Sequence, residues 1–302
     1  MKISCCILSG LFMILSVVVA GQTIEQRTIN VDGIKRIYRI QIPACYNFDR
    51  SFPLVFVLHG GGGSGETISN FTGFKMLAEK NRFIVVYPDG YQKQWNDGRD
   101  YSVTGVADVK FLRAVFEIVS QEFNIDKTRV YAAGISNGAM MCYRLGIEMS
   151  DIFAAIAAVC GNLPTKLEEK KPEHPVSVLI MNGTSDPLVP YEGGQVKVFG
   201  KNRGSVISTE RTVEFWIKAN KCFEKLPDKV IDVDKNDGSF ISVYSYVNNR
   251  TQVVLYKIIG GGHTWPGGVQ HLPEKIIGKT NRDIKAEHVI WDFFSRCKKE
   301  TQ

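Results

Sequence analysis

We expect this chain to adopt an α/β fold, with a mostly parallel central sheet covered by helices on both faces. Two features of its 302 residues predict this class. From residue 52 onward, apolar segments of strand length alternate with amphipathic segments of helix length, as in parallel strands joined by crossover helices. The composition, 44% hydrophobic and 23% charged, is that of a globular protein with a sizeable core.

The elements can be predicted in order. Residues 27–43 alternate polar and apolar side chains around Asp32 and Gly33, which predicts an antiparallel hairpin at one edge of the sheet. The segment FPLVFVLHG (52–60) is almost wholly apolar, as expected for a strand buried on both faces. Similar runs predict strands within residues 82–90, 128–136, 153–161, 176–186 and 252–263. Helical patterns cover residues 74–81, 106–123, 137–149, 208–221 and 283–297.

The amino-terminal segment differs from the rest. An apolar run, residues 7–20, is short for a membrane span and ends in small residues. We expect a secretory signal over residues 1–20, cleaved near Ala20 or Gly21, followed by a single domain over 21–302. No cysteine follows this cleavage site, so no membrane anchor is expected after cleavage, and the predicted location is secreted, either periplasmic or extracellular.

Charge and cysteine content exclude two classes of protein. The net charge is +6 and the pI about 8.8, but Lys and Arg are scattered among acidic residues, so we expect no nucleic-acid partner. A disulfide-dense small fold is excluded. An odd number of cysteines follows the signal, which leaves at least one thiol unpaired and the pairing open: Cys45, Cys142, Cys160, Cys222 and Cys297.

A serine at a strand end is the first candidate for chemistry, because ligands of open α/β sheets bind at the carboxyl ends of the strands. Ser136 lies in the pattern G-x-S-x-G, between an apolar run and a helical one, with Gly134 and Gly138 two residues away on either side. In a sharp strand-to-helix turn this pattern exposes a strained serine as a nucleophile. The amino end of the following helix favours negative charge there.

Such a serine needs a base, and the base needs an acid to orient it. His263 follows a buried strand and three glycines and is the best base, ahead of His59, His174, His271 and His288. Asp186 closes another buried strand before a proline and is the best acid, ahead of Glu66, Asp89 and Asp151. The chain order nucleophile, acid, base is that of α/β-hydrolases.

The predicted oxyanion hole combines two backbone amides. One is that of Asn137, directly after the nucleophile; the other comes from the glycine run after the first buried strand, with Gly61 the first choice and Gly60 the second. The chain has no phosphate-binding or dinucleotide fingerprint, no H-E-x-x-H and no paired Cys or His spacing, so we expect no metal and no cofactor.

With these residues assigned, the sequence resembles the secreted polyhydroxybutyrate depolymerase and feruloyl esterase group of α/β-hydrolases. The similar segments follow one another over nearly all of the chain from about residue 27: LHGGGGSG, VYPDG, QWNDGR, GVADVKFL, RVYAAGISNGAMM, FAAIAAVCG, GTSDPLVPYEGG, GGGHTWPGG and VIWDFF. The resemblance implies the same triad. It also implies that Trp95, Asn96 and Trp265 lie near the substrate.

The resemblance also bears on a disulfide. Members of the group often pair a cysteine placed like Cys222 with one in the next strand, ISVYSYVNNR, which has none here. The family disulfide is therefore in doubt, and Cys297 is the candidate substitute.

Three functions remain to be separated. The first is a secreted serine esterase acting through an acyl-enzyme, with a feruloyl ester of plant xylan as favoured substrate and acetylated xylan or a polyhydroxybutyrate oligomer as alternatives. The second, a peptidase, lacks a large amino-terminal domain to select peptides. The third, a non-catalytic binding module, would be expected to lose a member of the triad, whereas this chain keeps all three.

Overall fold

The structure, a computed structural model, describes residues 24–101 and 105–300. The predicted signal, residues 1–20, lies outside the described residues. No helix in those two ranges is both long and apolar enough to cross a bilayer.

Residues 24–101 and 105–300 contain thirteen strands, arranged in two sheets. In chain order they are β1 (Glu25–Val31), β2 (Ile34–Gln41), β3 (Phe52–Leu58), β4 (Ile84–Pro88), β5 (Ile125–Ile135), β6 (Ala155–Val159), β7 (Ser177–Gly183), β8 (Gly194–Val198), β9 (Lys201–Val206), β10 (Glu224–Lys225), β11 (Lys229–Ile231), β12 (Phe240–Val247) and β13 (Gln252–Ile259).

The large sheet has a parallel centre and antiparallel edges. Its order is β1-β2-β4-β3-β5-β6-β7-β13-β12-β10, with β11 also on β12. Neighbours from β4 to β13 run parallel, whereas the β1–β2 hairpin and the strands beyond β13 pair antiparallel. The predicted mostly parallel sheet with an amino-terminal antiparallel hairpin is confirmed.

In the part of the chain that the structure describes, seven α-helices accompany the sheet. They are α1 (Gly65–Phe71), α2 (Phe74–Asn81), α3 (Asp108–Glu122), α4 (Asn137–Glu148), α5 (Thr209–Asn220), α6 (Glu274–Ile277) and α7 (Ala286–Ser295). Those predicted from apolar periodicity, α2, α3, α4, α5 and α7, all form.

Helices cover both faces of the sheet because its central strands are apolar on both sides. In β3, Leu54 and Phe56 belong to one apolar cluster and Val55 and Val57 to the other. The first cluster includes buried side chains of α3, α4 and α5, and the second those of α2 and α7. Because helices cover both faces of the sheet, we expect the site at the carboxyl ends of the parallel strands.

Six of these helices and strands were not predicted from the sequence: α1, α6, β8, β9, β10 and β11. Helix α1 begins directly after the glycine run, where the Ser64 hydroxyl accepts a hydrogen bond from the Thr67 amide at 3.2 Å. Strands β8 and β9 form a separate two-stranded hairpin with Phe199 and Gly200 at its turn, both with positive φ.

All five cysteines within the described ranges are free thiols. Cys222 Sγ lies 3.3 Å from the carbonyl oxygen of Thr251, and Cys297 Sγ lies 3.3 Å from that of Phe293. The suggested Cys222–Cys297 disulfide is therefore not formed.

Candidate active site

The serine of the G-x-S-x-G segment lies between β5 and α4. Its backbone angles are φ 57° and ψ −120°, a conformation that is costly for a residue with a side chain. The Ser136 amide donates to the carbonyl oxygen of Val159 at the end of β6, at 2.8 Å. Neighbouring strands thus hold the strained turn, and the Ser136 side chain faces a cavity.

The glycines on either side are required by close backbone contacts. A Cβ at Gly134 would lie 2.5 Å from the carbonyl oxygen of Gly138, and a Cβ at Gly138 would lie 2.5 Å from those of Leu58 and His59. Any side chain at these positions would push α4 away from β3 and β5. The glycines therefore bring the serine and the loop after β3 together.

His263 and Asp186 form a hydrogen-bonded pair. His263 Nδ1 lies 2.7 Å from Asp186 Oδ2, and the two side chains are 9% and 3% exposed. The other carboxylate oxygen accepts from the amides of Leu188 and Val189 at 2.8 and 2.9 Å. The carboxylate is thus held from both sides, and it fixes the orientation of the imidazole.

The remaining ring nitrogen of His263 is available for proton transfer. Among the described residues nothing hydrogen-bonds to its Nε2 atom, and His263 lines the same cavity as Ser136. The three residues predicted as a triad come from the ends of three strands of one sheet. A serine, a histidine and a buried carboxylate arranged in this way can perform acyl transfer.

The glycine run after β3 presents two amides to this cavity. The amides of Gly62 and Gly63 donate to the carbonyl oxygens of Lys93 and Gly60, at 2.8 and 3.1 Å. Within residues 24–101 and 105–300, the amides of Gly60 and Gly61 have no protein acceptor. A Cβ at Gly60 would lie 3.4 Å from Ser136 Cβ, so this run borders the nucleophile. Both glycines remain candidates for the second oxyanion donor.

His59 supports the glycine run and is unsuited to act as the base. Its Nε2 accepts from the Gly90 amide at 2.9 Å, so Nδ1 carries the proton and donates to the Gly60 carbonyl at 2.7 Å. Burial lowers the pKa of His59 below its ordinary value. The ring is therefore neutral, with both nitrogens engaged.

Asn137 is fixed by the loop that precedes α3. Its amide oxygen accepts from the backbone amide of Trp95 at 2.7 Å, and its Nδ2 donates to Asp97 Oδ2 at 2.6 Å. The Asn137 backbone amide belongs to the first turn of α4, whose amides are not used within the helix. The side-chain contacts therefore hold this amide next to Ser136.

The predicted substrate contacts need a correction. Trp95 and Trp265 are each 1% exposed, and their indole nitrogens donate to the carbonyl oxygen of His59 and to Glu287, both at 2.9 Å. Asn96 donates through Nδ2 to the carbonyl oxygen of Val106 at 3.0 Å. None of the three lines the cavity. Large rings at loop bases are buried for packing, and here they support the loops behind the site.

The cavity over Ser136 has a volume of about 520 Å³ and mainly apolar walls. Sequence reasoning missed these side chains, which come from α1, from the loop between β7 and β8, from the β8–β9 hairpin, and from the loop after β13 together with α6: Ile68, Phe71, Leu188, Val196, Val198, Phe199, Leu272 and Ile277. Phe199, at the hairpin turn, is 74% exposed. Polar and apolar side chains alternate over residues 195–198, directly before Phe199 and Gly200, and this pattern could have predicted the hairpin.

A slightly larger cavity, about 630 Å³, lies beside α5 and contains no predicted site residue.

One group of possible metal ligands overlaps the triad. Atoms of Cys160, Asp186 and His263 lie within 4.8 Å of one another. Burial and the Asp186 carboxylate raise the pKa of the Cys160 thiol well above its ordinary value, and the thiol donates to the carbonyl oxygen of Thr264 at 3.0 Å. Cys160 is thus a protonated thiol beside the hydrogen-bonded Asp186–His263 pair. This arrangement favours a role in supporting the His263 loop over a role in binding a metal ion.

Similarity to known proteins extends along most of the chain. The family model described as Esterase PHB depolymerase matches residues 37–189. NocK of Nocardia uniformis subsp. tsuyamanensis, assigned as an esterase, is 32% identical over 287 residues, covering 91% of this chain and 83% of NocK. Feruloyl esterase B of Piromyces equi is 27% identical over 231 residues, covering 74% of this chain and 42% of that protein. This chain thus spans less than half of the Piromyces protein.

Solved structures share the fold. An acetyl xylan esterase from Aspergillus awamori superposes with a TM-score of 0.58 at 14% identity, covering 90% of this chain and 99% of that one. A thermostable esterase gives a TM-score of 0.50 at 21% identity, covering 65% and 52%. At such identities the likeness concerns the fold alone.

Proposed function

Since the chain belongs to the esterase PHB depolymerase family, and is thus a carboxylic ester hydrolase, we propose that it works through a serine acyl-enzyme. The observation that carries this proposal is the common cavity of Ser136 and His263, with His263 oriented by Asp186 at 2.7 Å. The strained turn at Ser136 supports it independently.

In the proposed mechanism, His263 Nε2 takes the hydroxyl proton of Ser136 as the oxygen attacks the ester carbonyl. The amides of Asn137 and of Gly61 or Gly60 bind the oxyanion that forms. His263 then donates the proton to the departing alcohol, leaving the acyl group on the serine. Water, deprotonated by the same histidine, releases the acid and restores the serine.

A hydroxycinnamoyl ester, such as a feruloyl ester of plant xylan, is the favoured substrate. The apolar walls support this choice, because Phe71 and Phe199 offer ring surfaces to an aromatic acyl group. The names of two relatives support the same choice. One is feruloyl esterase B of Piromyces equi. The other, from Aspergillus niger, is named a probable feruloyl esterase C and is 28% identical over 165 residues. Acetylated xylan and hydroxybutyrate oligomers are the alternatives.

The test is release of free acid from methyl ferulate, feruloylated arabinoxylan fragments, acetylated xylan and hydroxybutyrate oligomers. Ser136→Ala should keep the fold and lower kcat by at least about 10⁴-fold, because the nucleophile is lost. Ser51→Ala is the control. This exposed serine precedes the amino end of β3, whereas Ser136 follows the carboxyl end of the neighbouring parallel strand β5. Near-normal activity of Ser136→Ala would remove the serine mechanism. Dominant release of hydroxybutyrate would keep the mechanism and replace the substrate.

We also propose that the protein is exported and loses residues 1–20. The basis is the short apolar run and its small terminal residues. Cell fractionation and amino-terminal sequencing of the mature protein test this, and an intact amino terminus on cytoplasmic protein would contradict it.

A further inference from the structure

We propose that the natural substrate carries a carboxylate in addition to its ester, and that Arg203, which lines the cavity as Arg99 does, binds this carboxylate at the cavity wall. The inference rests on the proposed serine esterase mechanism and, among the candidate substrates, favours esters that carry a free acid group over a neutral feruloylated polysaccharide.

Arg99 is a cation built into the wall of the cavity. It lines the cavity with only 7% exposure, and its Nε and a terminal nitrogen lie 2.9 and 2.7 Å from Asp97 Oδ2. The same oxygen accepts from Asn137 Nδ2 at 2.6 Å. A single buried carboxylate thus fixes Arg99 relative to the residue that supplies an oxyanion amide.

Arg203 lines the cavity from β9. Its guanidinium lies 4.4 Å from the ring centroid of Tyr101 and donates to the Tyr101 hydroxyl. A Cβ at Gly204 would lie 2.9 Å from Arg99 Cβ, so β9 packs directly against Arg99. The Gly204 backbone has φ 82°, a conformation that glycine adopts at no steric cost. Both arginines line the same cavity.

The charge around these arginines is unbalanced. Asp97 compensates Arg99, whereas in the described ranges Arg203 has no carboxylate within ion-pair distance, and no Asp or Glu lines the cavity. Arg203 is thus a cation at the cavity wall without an acidic partner among the described residues. A carboxylate on the substrate would supply that partner, and the planar fork of Arg203 matches its two oxygens.

The carboxylate could belong to either half of the ester. In the acyl half, it would be the second acid group of a dicarboxylic acid; in the alcohol half, it would be the acid group of a hydroxy acid. Hydroxybutyrate oligomers carry such a group at their acid end, and a neutral feruloylated polysaccharide carries none.

Two matched ester pairs separate these sources. Methyl 4-carboxycinnamate and methyl 4-carbamoylcinnamate differ by charge in the acyl half. The cinnamoyl ester of 3-hydroxybutanoate and that of 3-hydroxybutanamide differ by charge in the alcohol half. For each pair, the ratio of kcat/KM for the acid over the amide is measured from release of the cinnamic acid.

One pair should show a ratio of about tenfold to hundredfold in the wild type, from the strength of charge-assisted hydrogen bonds. Arg203→Gln should bring that ratio close to one, and Arg203→Lys should keep part of it. Arg50→Gln removes the same charge in an exposed loop before β3 and should leave the ratio unchanged.

The outcomes distinguish this inference from the proposed function. A ratio near one in both pairs, with the amide esters hydrolysed, overturns the carboxylate site and leaves the esterase standing. A high ratio that survives in Arg203→Gln overturns the role of Arg203. If none of the four cinnamoyl esters is hydrolysed while acetylated xylan is, the serine mechanism stands and this inference is overturned.

Discussion

At the scale of single residues, the candidate site depends on residues whose conformation is fixed by the backbone and by hydrogen bonds. Ser136 is held at φ 57°, and the Asp186 carboxylate accepts two backbone amides and the imidazole of His263. The sequence identified these residues by type and position. Their fixed geometry, which is what chemistry requires, comes from neighbouring strands.

The carboxylate of Asp186 gives a first prediction. Asp186→Asn should lower kcat by about 10⁴-fold with little effect on KM, because an amide cannot hold the protonated Nδ1 tautomer in place. Ester hydrolysis and thermal unfolding of the variant measure activity and folding separately. Asp49→Asn, in an exposed loop, is the control. A kcat within tenfold of the wild type would show that another group orients His263.

His59 gives a prediction about acid stability. Burial lowers its pKa in the folded state below the unfolded value of about 6.5, with Asp89 opposing and Arg39 adding to the shift. The unfolded chain then binds more protons in acid, so stability is present above pH 6.5 and is lost as the pH falls through the folded-state pKa. The loss per pH unit is at most about 1.4 kcal/mol for one proton.

The measurement compares His59→Gln with the wild type by denaturant unfolding at pH 7.5 and 5.5. Gln can make both hydrogen bonds of His59 without titrating, so the variant should lose less stability on acidification. Equal losses in the two proteins would mean that other groups, such as His271, carry the acid sensitivity.

At the scale of elements, the β8–β9 hairpin decides the shape of the cavity. It stands apart from the large sheet, and its apolar side chains pack on Met140 and Val189 in a small separate cluster. Its turn carries Phe199 to the cavity mouth. The three candidate catalytic residues follow strands of the large sheet, whereas we expect substrate selection to depend on this added element.

Phe199→Ala should therefore raise KM for methyl ferulate about tenfold, with little change for methyl acetate, because an exposed ring contacts only a large acyl group. The melting temperature should change little, since this side chain is 74% exposed. Phe223→Ala is the matched control, 71% exposed and outside the cavity. Equal effects on both esters would exclude a role in acyl recognition.

At the scale of the whole molecule, apolar packing on both faces of the sheet stabilises the fold without disulfide crosslinks among the described residues. Apolar clusters fill both faces of the sheet, and Cys142, Cys160, Cys222 and Cys297 are buried within this framework as thiols. Burial raises the pKa of each of these four thiols, which keeps them protonated. Stability should therefore not depend on disulfides.

Thiol titration tests this expectation on protein that begins at residue 24. The native protein should react rapidly at one cysteine, the exposed Cys45, and the denatured protein at all five. A reducing agent should leave the melting temperature unchanged. Fewer than five thiols in the denatured protein, together with a lower melting temperature after reduction, would reveal a disulfide.

The sequence by itself determined the class of sheet and the helices that cover it, and it predicted a triad, because these features leave local signals. Periodicity reveals buried faces, and Gly134-x-Ser136-x-Gly138 and the strand-end Asp186 and His263 stand out from their surroundings. Only the tertiary structure decided what faces the substrate. Trp95 and Trp265 carry no local sign that they are buried, and Phe199 and Arg203 reach the cavity through a hairpin fixed by long-range packing. Cavity walls are assembled from segments distant in sequence, so no short pattern records them.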